Sequence, residues 1–249
     1  MITIKNASQI ELMRHAGKIV ARTHELLQKS IKPNINTKVL DKLAYDFIIS
    51  QDAVPSFLNY RGYPATINVS INDEVIHGIP NKNRLLKDGD VVSIDIGASY
   101  KGYHADAART YGLGIISDDD KKLIEVTKGS FFKALEFAKD GMYLNQICAA
   151  IESYVTQHDM NVVRDFVGHG IGKELHESPN IPNYKMPKRG PRLSAGMTLA
   201  IEPMVNIGSS DIKILADDWT VVTLDGKKSA HYENTILITD GEPEILTIL

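Results

Sequence analysis

Apolar side chains recur at helical spacing in four segments of the chain. The first segment opens with a capping box formed by Ser8 and Glu11 and continues to about Lys29. The second segment takes Thr37 as its N-cap. Its predicted buried stripe consists of Val39, Leu40, Leu43, Phe47 and Ile48. The amino-terminal part of the chain is therefore expected to form two amphipathic helices.

Two further helices are predicted in the second half of the chain. One runs from Ser117 to about Lys139, begins with three consecutive aspartates that suit the positive end of a helix dipole, and is closed by Gly141. The other covers roughly residues 145–158 and places Cys148 on its apolar face. Because Cys148 is the only cysteine, it forms no intramolecular disulfide and is expected in the core.

Short segments rich in β-branched residues lie between and after these helices. They are TINVSI, DVVSIDIG, ADAARTYGLG, MTLAIEPMV, WTVVTL and HYENTILIT. Residues 178–194 contain four prolines and several basic side chains, and are expected to form an extended surface loop. Since no change in composition separates two folding units, the sequence predicts one α+β domain.

The composition is ordinary for a soluble globular protein, with 43% hydrophobic residues, 24% charged residues and a formal net charge of −3. This charge gives no reason to expect nucleic acid or an anionic membrane as the main partner. The sequence shows neither a signal-peptide pattern nor the roughly 18 apolar residues of a membrane span. We therefore expect a cytoplasmic protein.

Two stretches of sequence recur in the same order in both halves of the chain. LKDGDVVSID (86–95) aligns without gaps on LSAGMTLAIE (193–202), and HADAART (104–110) shares an H-x-acid pattern with HYENTIL (231–237). A duplicated unit, folded as two related halves facing each other across a pseudo-twofold axis, explains this order. Such halves would bring together the acids Asp95, Asp106, Glu202 and Glu233.

Four acidic side chains at one place require a cation among them. Strand alternation points Asp95 away from the face that carries Ile94 and Ile96. A single aspartate at a strand end is more often solvated or a turn cap. Four carboxylates, however, cannot share a cavity as free anions. Because no lysine or arginine stands at a matching position in both halves, the sequence predicts divalent metal, and two ions would balance four negative charges.

Three of the eight histidines are candidates for the same site. His169 in the GHGIG turn is the natural nitrogen ligand, while His77 and His176 lie in turns flanked by glycine or proline, where functional residues concentrate. His104 and His231 each precede a predicted ligand by two residues, so each either supports that ligand or fills space. Because most donors are oxygens, manganese, iron(II) or cobalt(II) is favoured over a structural zinc.

Five candidate ligands and six short motifs occur in a distinctive order. The ligands are Asp95, Asp106, His169, Glu202 and Glu233, and the motifs are HGIP, DIG, GHGIG, LHESP, MTLAIEPM and YENTILIT. This set closely resembles the bacterial type I methionine aminopeptidases of peptidase family M24, over essentially the whole chain. The resemblance implies a pita-bread fold, an antiparallel sheet backed by helices, with residues 1–249 as a single catalytic domain. Its related halves would be about 1–114 and 115–249.

The resemblance also implies how the metals are held. Asp95 would bind one ion, Asp106 and Glu233 would bridge both, and the other ion would take His169 and Glu202. The implied metals are cobalt, manganese or iron(II), with zinc and nickel as alternatives. A monovalent cation is implied near Asn72 and Ser229.

The implied chemistry is attack on the scissile carbonyl by a hydroxide that bridges the two metals. Glu202 would carry the proton to the leaving amine, His176 would stabilise the oxyanion, and His77 would contact the peptide at the scissile bond. The substrate-binding residues carried over from the family are Phe57, Tyr60, Tyr63, Asn68, His77, Leu175, His176 and Trp219.

Three pocket positions depart from many bacterial members of the family. Phe57 and Asn68 replace cysteines, and Leu175 replaces a phenylalanine. A pocket of aromatic rings suits an unbranched thioether, because sulfur contacts ring edges favourably. The alternative interpretation is that Trp219 and the tyrosines, taken singly, simply fill the core.

The implied activity is removal of the initiator methionine from new proteins and peptides when the second residue is small. The expected partners are nascent polypeptide N-termini, with ribosome association left open, no DNA, no membrane, and a monomeric chain. An X-Pro aminopeptidase or prolidase would use a similar ligand set, but those enzymes generally have a large extra amino-terminal domain. A non-catalytic module of the same fold, binding protein or RNA, would have lost ligands, whereas all five are present here.

Overall fold

Four α-helices and fifteen short strands make up the computed structural model, which describes residues 2–249. The helices are α1 (Ala7–Ser30), α2 (Thr37–Ser50), α3 (Asp118–Leu135) and α4 (Leu144–Thr156). The strands are β1 (Val54–Pro55), β2 (Ile67–Ile71), β3 (Glu74–Ile76), β4 (Val91–Tyr100), β5 (Tyr103–Gly112), β6 (Asn161–Val162), β7 (Gly168–Gly170), β8 (Glu177–Ile181), β9 (Thr198–Ile201), β10 (Met204–Asn206), β11 (Ile212–Ile214), β12 (Val221–Thr223), β13 (Ser229–His231), β14 (Asn234–Leu237) and β15 (Glu244–Ile245). The predicted α+β class is confirmed.

The strands form four sheets in which every recorded pairing is antiparallel. In the first sheet, β4 pairs with β5 and also with β1 and β2. The largest sheet has the order β15-β14-β9-β7-β8. Two three-stranded sheets, β13-β10-β6 and β11-β12-β3, complete the set. In the described part of the chain, 2–249, no helix is both long and apolar enough to cross a membrane.

The hairpin of β4 and β5 is the longest strand pair. Its turn is formed by Lys101 and Gly102, whose φ angles are 48° and 80°. Positive φ at both central residues is the type I′ turn, whose twist matches that of the flanking strands. The register places Gly97 opposite Asp106. The hairpin therefore fixes where this acid lies relative to the neighbouring strand.

Two hydrophobic cores lie between the helices and the sheets. Helices α1 and α2 cover the face of the first sheet that carries Ile94 and Ile96, both fully buried. Helices α3 and α4 cover β9 and β14, where Leu199 and Ile236 are buried. The expected core position of Cys148 is confirmed, since its side chain is buried in this second core. Burial of each such apolar side chain stabilises the fold by roughly 1.5–3 kcal/mol.

The N-cap of α1 lies two residues before the predicted cap at Ser8. The Asn6 side chain accepts from the Gln9 amide at 3.0 Å, and the Gln9 side chain accepts from the Asn6 amide at 2.9 Å. This is a reciprocal capping box. The predicted box of Ser8 and Glu11 is wrong, because both residues are already helical.

The start of α2 also differs from the prediction. Asn36, rather than Thr37, is the N-cap, and its side chain accepts from the Val39 amide at 3.1 Å. The Thr37 hydroxyl instead donates to the Asn81 carbonyl. Val39 is 42% exposed, so it was wrongly placed in the buried stripe, whose deepest members are Leu40, Ala44 and Ile48.

Two boundaries in the second half of the chain are corrected as well. Helix α3 ends at Leu135 rather than near Lys139, because the following backbone tightens into i→i−3 hydrogen bonds. Part of the predicted loop 178–194 is strand β8, which pairs with β7 at the edge of the largest sheet. A proline is tolerated on such an edge strand, and Ile181 is only 1% exposed.

Side chains join the two repeated regions where β5 runs beside the segment that contains β13 and β14. The Thr110 hydroxyl donates to the His231 carbonyl and accepts from the His231 amide, at 2.8 and 3.0 Å. The turns before β4 and β9 share a left-handed glycine, with φ of 88° at Gly89 and 90° at Gly196. The division into two related halves at about residue 114 stays a prediction.

The capping box gives a stability prediction. Asn6→Ala should lower the free energy of unfolding by about 1 kcal/mol, because the first turn of α1 loses an amide acceptor. Ser8→Ala is the matched control and should change stability by less than about 0.5 kcal/mol. Urea denaturation of both variants provides the measurement. A larger loss for Ser8→Ala would contradict the assignment of the cap.

Candidate active site

One cavity of about 390 Å³ gathers every catalytic, substrate-binding and metal-binding residue that the sequence predicts. The acids and the imidazole of the predicted metal centre are Asp95, Asp106, His169, Glu202 and Glu233. The other predicted residues in its lining are Phe57, Tyr60, Tyr63, Asn68, His77, Leu175, His176 and Trp219. An acidic cluster and an aromatic surface therefore face the same space.

The five candidate metal ligands come from five different strands or strand ends. Asp95 lies on β4, Asp106 on β5 and His169 on β7. Glu202 directly follows β9, and Glu233 lies between β13 and β14. Asp95 is opposite Ala108 in the hairpin register, so Asp95 and Asp106 are diagonal neighbours on one face. The antiparallel strands thus deliver one polar side chain each to the cavity.

The His169 imidazole lies among the acids with one nitrogen free. Its Nδ1 donates to the Gly170 carbonyl at 2.9 Å, which leaves Nε2 as the unprotonated nitrogen of the neutral ring. Nε2 lies 3.6 Å from Asp106 Oδ2 and 3.5 Å from Glu202 Oε1. Single donor atoms of Asp106, His169 and Glu233 all lie within 4.8 Å of one another. Burial lowers the pKa of His169 to about 4.

Burial raises the pKa of every acid in the cluster, and repulsion raises it further for Asp95, Glu202 and Glu233. For Asp106, burial raises the pKa to about 7, against hydrogen bonds that favour its anion. Burial followed by the charge of Asp106 raises the pKa of Asp95 and of Glu202 well above the ordinary value. The pKa of Glu233 rises for the same reasons. The ionised cluster is therefore unfavourable unless a cation joins it.

The donor set fits divalent cations. Within residues 2–249, imidazoles are the only basic groups within 4.0 Å of these acids, and no lysine or arginine pairs with them. Asp95 Oδ1 is buried and lacks a hydrogen-bond partner among the described residues. An orphaned carboxylate oxygen, three further carboxyls and a free imidazole nitrogen form an oxygen-rich site that suits manganese, iron(II) or cobalt(II).

Neighbouring side chains fix the two acids at the junction of the repeated regions. The Thr235 hydroxyl donates to Asp106 Oδ1 at 3.1 Å and accepts from the Asp106 amide at 3.0 Å. Arg109 donates to the Glu233 carbonyl and to Asn234 Oδ1. These contacts hold the backbone that presents Asp106 and Glu233, and so limit how far the acids can move apart.

The two histidines that precede predicted ligands differ from each other. His231 Nε2 lies 3.7 Å from Glu202 Oε2 and is buried without a hydrogen-bond partner in the described chain. The His104 ring instead shares a hydrogen bond with the Ser56 hydroxyl at 2.8 Å. His231 therefore lies beside the acidic cluster, whereas His104 is hydrogen-bonded to the residue that follows β1.

Aromatic rings form the predicted methionine pocket. Tyr63 and Trp219 meet edge to face with ring centres 5.0 Å apart, and the Tyr63 hydroxyl is occupied by the Ile67 and Gly78 carbonyls. A Cβ at Gly97 would lie 2.6 Å from Phe57 Cε1. Glycine at this position is therefore needed for the Phe57 ring to reach the cavity.

The two candidate catalytic histidines contact different rings of the cavity. His77 has a left-handed φ of 61° and meets the Phe166 and Trp219 rings edge to face. A non-glycine residue in this conformation is strained, as is common at functional sites. Burial, with a smaller effect of His176, lowers the pKa of His77 to about 4. The His176 ring lies 4.1 Å from the His169 ring, centre to centre, and reaches solvent on its other side.

Several cavity residues were missed by the sequence analysis. They are Arg61, Ile76, Asp165, Phe166, Val167 and Asn180. Asp165, Phe166 and Val167 directly precede the GHGIG motif, so proximity to that motif was an available signal. Asn180 pairs with His169 across the β7–β8 register, which only the strand assignment reveals.

The residues of the predicted monovalent-cation site are adjacent. The Ser229 amide donates to the Asn72 carbonyl at 2.9 Å. Asn72 Oδ1 accepts from the Val91 amide at 3.0 Å, and Asn72 Nδ2 donates to Asp90. These contacts fix the segment around Asn72, which has a left-handed φ of 59°.

Comparisons with known proteins agree with this geometry. Residues 11–240 match metallopeptidase family M24. Methionine aminopeptidase 1 of Bacillus subtilis is 57% identical over 247 residues, which cover 99% of each chain. The crystal structure of methionine aminopeptidase from Thermotoga maritima covers 100% of both chains, with a TM-score of 0.98 and 44% identity. This likeness confirms the predicted pita-bread fold.

A more distant structure shares the fold alone. The Xaa-Pro dipeptidase from Bacillus anthracis is 23% identical and has a TM-score of 0.77. The match covers 98% of this chain but 61% of that protein. The longer relative therefore contains a substantial region that has no counterpart in the match.

The raised pKa of Asp106 predicts a pH-dependent effect of Asp106→Asn in metal-free protein. Below about pH 4 the carboxyl is protonated in both the folded and unfolded states, whereas above about pH 7 the folded state contains an unfavourable anion. The variant should therefore gain stability relative to the wild-type chain as the pH rises between these values, by about 1 kcal/mol or more.

Urea midpoints across this pH range, measured on both proteins, test the prediction. The comparison must be between variants, because buried histidines with lowered pKa, such as His24 and His231, stabilise the fold increasingly as pH rises. With manganese added, the wild-type chain should become the more stable protein. A difference that does not change with pH would contradict the predicted linkage.

Proposed function

Since the chain belongs to metallopeptidase family M24, we propose that it removes the initiator methionine from nascent proteins and peptides whose second residue is small. One observation carries this proposal: five candidate metal ligands and an aromatic pocket line the same cavity. The full-length likeness to methionine aminopeptidases supports the same reaction. The proposed enzyme is thus a metal-dependent exopeptidase.

We assign two divalent ions to the acidic cluster. Asp95 would bind one, His169 and Glu202 the other, and Asp106 and Glu233 would bridge them. When bound, two such ions make hydroxide available near neutral pH and polarise the oxygen of the scissile carbonyl. The close approach of Asp106, His169 and Glu233 supports this assignment. Cobalt, manganese and iron(II) suit these donors, and zinc or nickel are further candidates.

The side chains of the cavity perform the remaining steps. Glu202 accepts the proton of the attacking water and returns it to the leaving amine, a role that a carboxylate within hydrogen-bond reach of both can perform. His176 donates a hydrogen bond to the carbonyl oxygen as negative charge develops there. His77 contacts the peptide beside the scissile bond. The walls around Tyr63 and Trp219 exclude water from the methionine side chain.

The pocket composition supports a preference for methionine. Phe57, Leu175 and Trp219 provide apolar contact for an unbranched chain, and the ring edges suit a thioether sulfur. Asn68 lies opposite Asp95 in the β2–β4 register, and its Oδ1 is buried without a partner among residues 2–249. This polar group distinguishes the pocket from a purely apolar one.

The remaining assignments follow from the proposed substrate. Nascent chain N-termini would be met in the cytoplasm, and neither DNA nor a membrane takes part in the reaction. A monomeric chain already contains every residue of the cavity. Ribosome association and a monovalent cation near Asn72 and Ser229 stay predictions.

The first experiment offers purified protein a Met-Ala-Ser peptide in the presence of manganese or cobalt. We expect release of free methionine, and much slower release from Met-Leu-Ser, because a bulky second residue meets the cavity walls. Turnover of X-Pro peptides alone would instead indicate a prolidase-like enzyme. If no peptide is hydrolysed with manganese or cobalt, nor with iron(II), zinc or nickel, the protein would instead be a non-catalytic binding module.

A second prediction concerns the bridging acids. Glu233→Ala should reduce kcat by at least about 10³-fold, because an acid that contacts both ions is lost. Metal analysis of the dialysed variant should find no more than one ion per chain. Glu125→Ala removes an exposed glutamate from α3 and should keep both ions and full activity. Retention of two tightly bound ions by Glu233→Ala would refute the bridging role.

A further inference from the structure

Tyr60 makes a second contact that its place in the pocket does not require. Its hydroxyl lies 2.9 Å from His176 Nδ1, and the two rings stack at 5.2 Å with an angle of 23° between their planes. The His176 ring in turn packs on the His169 ring. The Arg61 guanidinium also lies over the Tyr60 ring, 5.4 Å from its centre. Tyr60, His176 and His169 thus form a chain of ring contacts that leads to the candidate metal ligands.

The backbone around Tyr60 is held in an unusual conformation. Asn59 and Arg61, on either side of Tyr60, have left-handed φ angles of 66° and 50°. A non-glycine residue is strained in this conformation, which persists only where its surroundings impose it. The turn therefore places the Tyr60 ring at a defined position beside His176 rather than leaving it free to rotate away.

The hydrogen bond between these rings links the direction in which the Tyr60 hydroxyl points to the tautomer of His176. A neutral imidazole has one N–H and one acceptor nitrogen. When the Tyr60 hydroxyl donates to Nδ1, the ring proton must be on Nε2, the nitrogen left available to donate to a substrate. We propose that Tyr60 is a positioning residue, which fixes the orientation and tautomer of His176 for donation to the carbonyl oxygen. This inference rests on the proposed role of His176 in the function above.

Tyr60→Phe separates the contribution of the Tyr60 ring to the pocket from the contribution of its hydroxyl to His176. If Tyr60 served only as a pocket wall, this variant would leave both KM and kcat unchanged. The ring supplies the apolar contact with methionine, so Tyr60→Phe keeps the pocket wall and should leave KM unchanged. The same variant removes the donor to His176, so kcat should fall by about tenfold, the scale of one hydrogen bond. The expected signature is therefore a loss confined to kcat.

Two measurements separate this role from a general structural one. Nitrogen-15 NMR of the His176 ring, recorded on metal-free protein, should show a protonated Nε2 and a hydrogen-bonded Nδ1 in the wild-type chain. The Nδ1 resonance should lose its hydrogen-bonded shift in Tyr60→Phe. In a His176→Ala background, Tyr60→Phe should cause no further loss of kcat, because the two residues act as one unit.

Tyr103→Phe is the matched control. Tyr103 accepts a hydrogen bond from Gln9 and is not among the described residues that line the cavity. It should leave both kcat and the His176 resonances at their wild-type values. A proton on Nδ1 in the wild-type chain, an unchanged kcat in Tyr60→Phe, or an equal loss in the His176→Ala background would each overturn the inference. Failure of the wild-type chain to release methionine would instead refute the proposed function, whatever the NMR result.

Discussion

The mutual repulsion of four buried carboxyl groups is the constraint on which the rest of the structure depends. Burial alone disfavours each anion, and the charge of Asp106 raises the pKa of its neighbours further. A fold that gathers these groups must therefore hold them against their own repulsion when no cation is bound. Rigid strands meet this need better than loops, because their positions are fixed by hydrogen bonds on both sides.

The contacts between the repeated regions provide this restraint. Thr110 and Thr235 each bond to backbone across the junction, and Arg109 donates to the carbonyls of Glu233 and Thr247. None of these side chains supplies an acid to the cluster. Their effect is to keep Asp106 and Glu233 in place, so that the repulsion shifts pKa values instead of separating strands.

The acids could be predicted because their positions follow local sequence patterns. The features that were mispredicted depend on contacts between distant parts of the chain. Strand alternation placed Asp95 on the sheet face opposite Ile94 and Ile96, because side-chain direction has a period of two residues. The N-cap of α1 at Asn6 rather than Ser8 depends on a contact distant in sequence. The Lys5 amide donates to the Gly196 carbonyl at 2.8 Å, which holds the segment just before the helix. Proline content likewise concealed β8, whose pairing with β7 depends on the whole sheet. The prediction of the cavity residues rested mainly on family resemblance. Resemblance does not reveal individual contacts such as that between Tyr60 and His176, which are 116 positions apart in the chain.

The segment that presents His176 is restrained at its backbone as well as at its ring. Glu177 Oε1 accepts from the Lys173 and Glu174 amides at 2.8 and 3.2 Å. The other oxygen of Glu177 accepts from Lys5 at 2.7 Å, and both side chains are nearly excluded from solvent. A Cβ at Gly172 would lie 2.4 Å from Lys5 Cε, so a larger residue there would displace the end of the lysine side chain. Breaking a buried pair of this kind typically costs about 3–5 kcal/mol. The amino-terminal segment thus restrains the backbone that carries His176. The hydrogen bond from Tyr60 then needs to fix only the rotation of the imidazole ring.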